Sequence, residues 1–488
     1  MTPAGGILRV TVVVACAGAM VGIATTTTGS LELARTGTGA GLPAVSAAAV
    51  TDATLVCPGP ERIGVDGLRD VPARTRVTAL AAPQAVVSGV VGAGRGAVRV
   101  GPLEATTGAT VAQRARPVQV TVSRAQGAVV RATGALAPGV VGVQTWLRRG
   151  DDDRGLAMSP CSPPAADLWL VGGGSGPSRT ERLVLTNPGA NTVMVAFTVL
   201  GADGTIAGTG HDRTIPPRSR SVLSLDTLAP GVSGPVVHVV ATGGEVSGVL
   251  SDAWIDGATA RGIDDAVAVA PPGRDLVVAG IDKAGAASLR IGNPSGQEAV
   301  VQLRVLTRAG PVQPDGLRAL RVPAGATLDV PLDVPDGAVG VHVVADQPVV
   351  AAAWVERRVA TGTDRMGDFG WVPATPAVQR LAGLALPGAV VPGATARLLL
   401  AAGRARSVVT VTTSGPDSQT RRVDVPADKV VTVDLGRAEG VWVAPSAGPL
   451  HAAVSVAGVV DKVPVLSIVP LTDTPLTAVT VPVRQVGS

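Results

Sequence analysis

The 488-residue chain holds 62 glycines and 39 prolines, together 21%, against about 12% in average usage, and only 16% of its residues are charged. Six Trp, two Phe and no Tyr leave an apolar fraction of 46% that is mostly Ala and Val, with a formal net charge of +4. These values exclude a coiled coil or helix bundle, which needs Glu, Lys and Leu, and a disordered tail, which is poor in apolar residues and high in net charge; the glycines also lack collagen's period of three.

At the N-terminus, Arg9 precedes an uncharged run from Val10 to Ala24, followed by four threonines and an Ala/Gly/Thr-rich stretch to Val50. Fifteen such residues fit the core of a signal peptide or a short signal anchor; a full membrane span needs nearer ~20. Residues 1–50 are therefore expected to be a signal sequence or membrane anchor plus linker. The remainder is expected to be extracytoplasmic, held at the outer face of the cytoplasmic membrane through residues 7–24. Release after cleavage is the alternative, with Ala47 and Ala49 as a small-x-small site. Cys16 loosely fits a lipoprotein box, but the residues after it stay apolar, against lipidation.

Cys57 and Cys161 are the only cysteines beyond the leader. In an exported chain two cysteines read as one disulfide, closing a loop worth ~4–5 kcal/mol in the chain-entropy model; two buried free thiols are the alternative. The bond would brace the first module, and Cys161→Ser is expected to loosen that module while the third and fourth stay folded. No CxxC exists, so zinc-knuckle and thioredoxin-like chemistry are excluded.

Landmarks then recur at a spacing slightly above one hundred residues. LVLTNPG and LRIGNPSG place Asn187 and Asn293 106 apart. IPPRSRSVLSLD and VPAGATLDVPLD end at Asp226 and Asp333, and VVHVVA and GVHVVA centre on His238 and His342. Trp254 and Trp354 each close a strand, Trp146 marks a weaker preceding copy, and VWVA around Trp442 a weaker following one. Arg154-Gly155, Arg261-Gly262 and Arg365-Met366-Gly367 follow the first three tryptophans. Four modules are read: 51–165 (divergent), 166–272, 273–375 and 376–488.

Within a module the apolar pattern has period two, as in Thr192–Leu200 and Val300–Leu306, with no helical stripe. Asp203-Gly204 is a hairpin turn, and the Asn-Pro pairs mark strand ends. The expected fold is all-β: tandem immunoglobulin-like β-sandwich modules after the N-terminal hydrophobic segment. A β-propeller is the alternative, although no blade period of ~40–50 is seen. Tandem sandwiches are expected to extend as a rod or curved arch.

No reaction is spelled out. The cations are Arg apart from Lys283, Lys429 and Lys462, scattered and without interleaved aromatics, so nucleic acid is not an expected partner. His238 and His342 share a place that the next copy gives to Trp442, which fits packing and not ligation. His211 and His451 lack companions at metal spacing. Trp146, Trp254 and Trp354 read as repeated core anchors before a sugar-stacking surface, with Trp169 and Trp371 buried at module junctions. Asp151–Asp153 read as a solvated turn before a calcium loop. Gly92–Ala97 matches a dinucleotide fingerprint without its helix, and Gly172–Gly176 is a Gly-rich turn without the P-loop lysine. No GxSxG elbow occurs, and most Asp and Glu fall between strands as solubilising residues. The expected catalytic, metal and cofactor sets are empty.

LVCPGP (55–60), SPCSPPAADLWLVGGGSG (159–176), LVLTNPG (183–189) and VVHVVATGG (236–244), behind the leader, together resemble an actinobacterial family of exported or membrane-anchored proteins with a domain of unknown function. The resemblance runs from Cys57 to about residue 470. Members are often encoded beside large membrane glycosyltransferases, which implies a glycosyltransferase or an envelope polysaccharide as partner and offers no catalytic residues. Three function classes follow: a non-catalytic scaffold or accessory of surface-glycan assembly, a carbohydrate-binding protein with a sugar site in one module, and a glycan-acting hydrolase.

Overall fold

In a computed structural model the described residues are 46–61, 74–105, 107–123, 126–150, 154–174, 179–206, 212–359, 365–387 and 393–480. The leader through residue 45, Asp151–Asp153, His211 and residues 175–176 lie outside them. The chain divides into two compact units, residues 49–477 and the two ends 1–48 with 478–488. Of the latter, the described residues are 46–48 and 478–480, which belong to the paired strands Ser46–Ala49 and Thr477–Thr480. Among the described residues no helix is long and apolar enough to cross a membrane.

The structure is all-β. In the first module one sheet runs Asp52–Cys57, Ala128–Gly134, Gly96–Pro102, Ala109–Val111, and the other Val118–Val122, Thr75–Ala81, Val140–Arg149, Arg154–Pro160. Ala53, Leu55, Val77, Val98, Val118 and Val130 from both sheets close one core. The same strand order recurs three more times, with its last strand at Thr259–Val267, Gly367–Thr375 and Val463–Leu471. In the third copy one 22-residue strand, Gly337–Arg358, serves both sheets. Alternating Val-rich segments fall on these strands because β-branched side chains suit a pleated surface buried on one face. Gly201 and Gly204 pair across the Ala202–Asp203 loop, so the Asp-Gly signal is a hairpin.

The Asn-Pro repeat has a physical reason. Buried Asn187 donates from Nδ2 to the carbonyls of Asn191, Ile215 and Pro216 at 2.8–3.1 Å, while its Oδ1 accepts the Gly189 N–H. Asn293 repeats the set with Gln297, Val322, Pro323 and the Ser295 N–H. One side chain thus satisfies four backbone groups where the strand ends, and a buried amide is stable only when so satisfied.

The modules do not extend as a rod or arch. Their last strands, here the axial strands, pack on one another in cyclic order: Arg154–Pro160 on Thr259–Val267, that on Gly367–Thr375, that on Val463–Leu471, and that back on Arg154–Pro160. This closes a ring around an axis, as propeller blades do, but with two sheets per module. The cause is apolar surface on both faces of the inner sheets. Leu80, Val141, Val143, Leu156 and Met158 of the first module share a core with Leu398, Trp442 and Val454 of the fourth. Phe369 and Trp371 of the third join the core of the second, and Leu466 and Ile468 of the fourth join that of the third. A rod would leave these faces in water, at roughly 25 cal/mol for each Å² of apolar surface.

Candidate functional site

The ring brings acidic residues to its axis. Asp368 is fully buried and accepts the backbone N–H of one residue from every axial strand: Leu156 (2.8 Å) and Leu466 (2.9 Å) on Oδ2, Ile263 (3.1 Å) and Phe369 (3.0 Å) on Oδ1. Its space exists because the equivalent positions of the first two axial strands are Gly155 and Gly262, with φ of +146° and +129°. A Cβ at either would stand 2.6 Å from Asp368 Oδ1. The glycines of the first two Arg-Gly pairs are therefore axis contacts, whereas Gly367 of the third lies against Arg357 and Arg358 where its strand begins. Burial pushes the Asp368 carboxyl well above the usual carboxylate range, against the pull of its four N–H donors.

Further acids are buried at the module junctions. Asp264 accepts the Trp371 N–H (2.6 Å), and Asp265 accepts Trp146 Nε1 (3.4 Å) and Ser159 Oγ (3.1 Å). Asp252 accepts Trp371 Nε1 (2.9 Å) and pairs with Arg179 (2.5 Å). Asp282 of the third module takes Arg357 (2.8 Å), Arg397 of the fourth (2.6 Å) and Ser455 Oγ (2.7 Å). Arg154 reaches the Val460 carbonyl at 3.2 Å and closes the fourth-to-first junction. The expectation that acids sit in turns as solubilising groups fails for these residues, which are structural. Asp264-Asp265 carry a signal in that they run directly into the apolar Ala266–Ala270, whereas Asp368 follows Gly367 at a strand start and carries none.

The tryptophans also differ from a repeated core anchor. Trp146 lies opposite Ala157, Trp254 opposite Gly262 and Trp354 opposite Trp371, three different registers. Trp146, Trp371 and Trp442 each donate their indole N–H across a module junction, Trp442 to the Gly139 carbonyl at 3.1 Å. Trp254 and Trp354 face each other at 6.3 Å, and the guanidinium groups of Arg179, Arg261 and Arg358 lie within 6 Å of the Trp254 ring. Trp169 stacks on His238 of its own module at 3.9 Å.

The buried acids fix a pH dependence. Burial raises Glu61 to about 7, opposed by Arg148 and reinforced by Asp265. Burial and then Asp252 raise Glu181 to about 8, against the Gly174 N–H, Arg179 and Arg290. Unfolded, both release their proton near 4.5. From pH 4.5 to 7–8 the folded chain binds more protons, so stability falls as pH rises. His451, lowered to about 4 by burial, acts oppositely between about 4 and 6.5 but offsets only one of the two protons. Exposed Asp417 and Asp424, held low by Arg437 and Arg406, act only below their usual range. The melting temperature is expected to be higher at pH 5 than at pH 8, with Glu61→Gln flattening the slope by up to about 1.4 kcal/mol per pH unit. A melting temperature that rises between pH 5 and 8 would contradict this.

A second place is open to solvent. A cavity of about 520 Å³ lies between the third and fourth modules, lined by Asp275, His342, Thr375, Arg404 and His451 among others. His342 is consumed locally: Arg304 donates to its Nδ1 (3.2 Å), so its Nε2 donates to Asp275 (2.8 Å). His238 repeats the pair with Asp167 at 3.3 Å. His451 Nδ1 donates to the Thr375 carbonyl (2.9 Å). Trp442 is buried against Gly139, so the shared position carries no common ligand set. Among the described residues no group of three or more His, Cys, Asp or Glu is placed to hold a metal ion. Gly92–Arg95 is a loop that leads into the strand Gly96–Pro102, not a helix. Gly172 and Gly173 give their carbonyls to Arg290, as an arginine seat at the second–third junction.

Cys57 and Cys161 are disulfide-bonded, with Cα atoms 4.3 Å apart. The bond ties the first strand of the outer sheet to the end of the first axial strand.

Residues 111–436, two-thirds of the chain, match a family of unknown function (DUF5719). The match takes in the first three axial strands and Asp252, Asp264, Asp265, Asp282 and Asp368. No curated protein matches the chain.

Proposed function

We propose, for a chain that belongs to the DUF5719 family of unknown function, a non-catalytic role as an exported scaffold or accessory of a surface-glycan assembly system, built from four immunoglobulin-like sandwiches. The observation that carries this reading is the use made of the buried acids. Asp252, Asp264, Asp265, Asp282 and Asp368 are engaged by backbone, indole, hydroxyl and guanidinium donors of neighbouring modules. Side chains of the kind that perform acid–base catalysis are here spent on rigidity, which suits a platform. The sequence features of residues 1–50 support attachment to the outer face of the cytoplasmic membrane, and the resemblance in sequence supports an actinobacterial envelope and a membrane glycosyltransferase or envelope polysaccharide as partner.

The test is affinity capture of the tagged full chain from detergent-solubilised membranes. Co-purification of a glycosyltransferase is the expected result; recovery of the chain alone from the soluble exterior, with a mature N-terminus near residue 30 or 50, would sink both the partner and the anchor. A second reading, a carbohydrate-binding protein, is favoured by the cleft between the third and fourth modules.

A further inference from the structure

We infer that this cleft is a binding site for a hydroxyl-rich ligand carrying one carboxylate, the chemistry of a uronic-acid sugar. The inference deepens the second reading and does not rest on the scaffold role. A volume of about 520 Å³ lies within the usual range of small-ligand clefts, roughly 300–1,000 Å³.

Its polar lining is incomplete in a specific way. Thr375 is buried, and its hydroxyl has no protein partner. His451 is also buried. Its Nδ1 proton is committed to the Thr375 carbonyl, which leaves Nε2 as a lone-pair acceptor without a partner among the described residues. Arg404 stands exposed at the rim with no ion pair among the described residues. The Asp275 side chain is 65% exposed and has oxygen lone pairs beyond the one His342 uses. Buried polar groups are ordinarily paired, by protein or by what binds there.

These groups select the ligand. Arg404 offers a planar fork that matches a carboxylate. His451 Nε2 and Asp275 accept hydrogen bonds and so call for O–H donors on the ligand. Inorganic phosphate fits less well: above its second pKa it sets two negative charges against the one of Asp275 and keeps a single O–H for two acceptors, Asp275 and His451 Nε2, where a uronate brings one charge and several hydroxyls. A divalent metal finds His451 Nε2 and Asp275 as its strong ligands, since both nitrogens of His342 are used, and among the described residues no group of three His, Cys, Asp or Glu is placed to hold one. Leu276, Pro376 and Pro449 supply apolar wall for the C–H face of a pyranose, and no indole or phenyl ring lines the cavity to stack a nucleobase.

The experiment is calorimetric titration of the full chain with glucuronate, glucose, acetate and phosphate. Glucuronate is expected to bind at least tenfold more tightly than each of the others, because only it presents both halves of the pattern. Arg404→Ala and Thr375→Val are each expected to weaken glucuronate tenfold or more. Thr375→Val removes a hydroxyl that bonds nothing, and Arg404 is exposed, so both variants should melt with the parent. Glucuronate binding no better than acetate or glucose, equal binding of phosphate, or affinity unchanged in Arg404→Ala would overturn the inference. Membrane capture should be the same for Arg404→Ala, so failure here leaves the scaffold reading to its own test.

Discussion

Asp368→Ala is expected to destabilise the ring by about 3–5 kcal/mol, the cost of leaving several buried N–H donors without an acceptor. Four donors from four modules converge on this carboxylate. Asp368→Asn keeps one oxygen for two donors and turns an NH₂ toward the others, so its loss should be about half as large. Gly155→Ala and Gly262→Ala approach the same point from the other side, since the new Cβ would lie 2.6 Å from Asp368 Oδ1 in a backbone conformation that disfavours side chains. Guanidinium unfolding followed by tryptophan fluorescence is the suitable measurement. Trp146, Trp371 and Trp442 sit at three junctions and report ring opening directly. A loss below about 1 kcal/mol for Asp368→Ala would show that the axis does not depend on this side chain.

Cys161→Ser should cost about 2–5 kcal/mol, as native disulfides closing long loops commonly do. The bond spans 104 residues and braces a core of Ala and Val in which Leu55 and Leu136 are the largest side chains. Viewed as an independent module, that core should loosen alone. The packing points elsewhere, because Leu80, Val141, Val143, Leu156 and Met158 are half of the interface with the fourth module. The expected result is one cooperative transition displaced to lower denaturant. Two transitions, the second unmoved from the parent, would show that the modules unfold independently.

Much of the local structure was legible because its causes are local. Period-two alternation in Thr192–Leu200 reflects a strand with one face on the core, as its burial shows. Asp203-Gly204 and the Asn187 and Asn293 corners depend on residues within about thirty positions, so their pattern survives in sequence. The two cysteines outside the leader left a single pairing to consider.

The axis was not legible, for an equally physical reason. Gly367–Thr375 is buried at every position, so the alternation that distinguishes a core face from a solvent face vanishes there. Sequence alone determined an all-β chain with its turns, its strand ends and one disulfide. Only the tertiary structure decided that the modules close a ring, that Asp368 belongs at its centre, and that Thr375 and His451 share a cleft. The partners of Asp368 lie 98 to 212 positions away, apart from its neighbour Phe369. No pattern along the chain encodes a contact whose donors are supplied by backbone, because every residue except proline carries the same N–H.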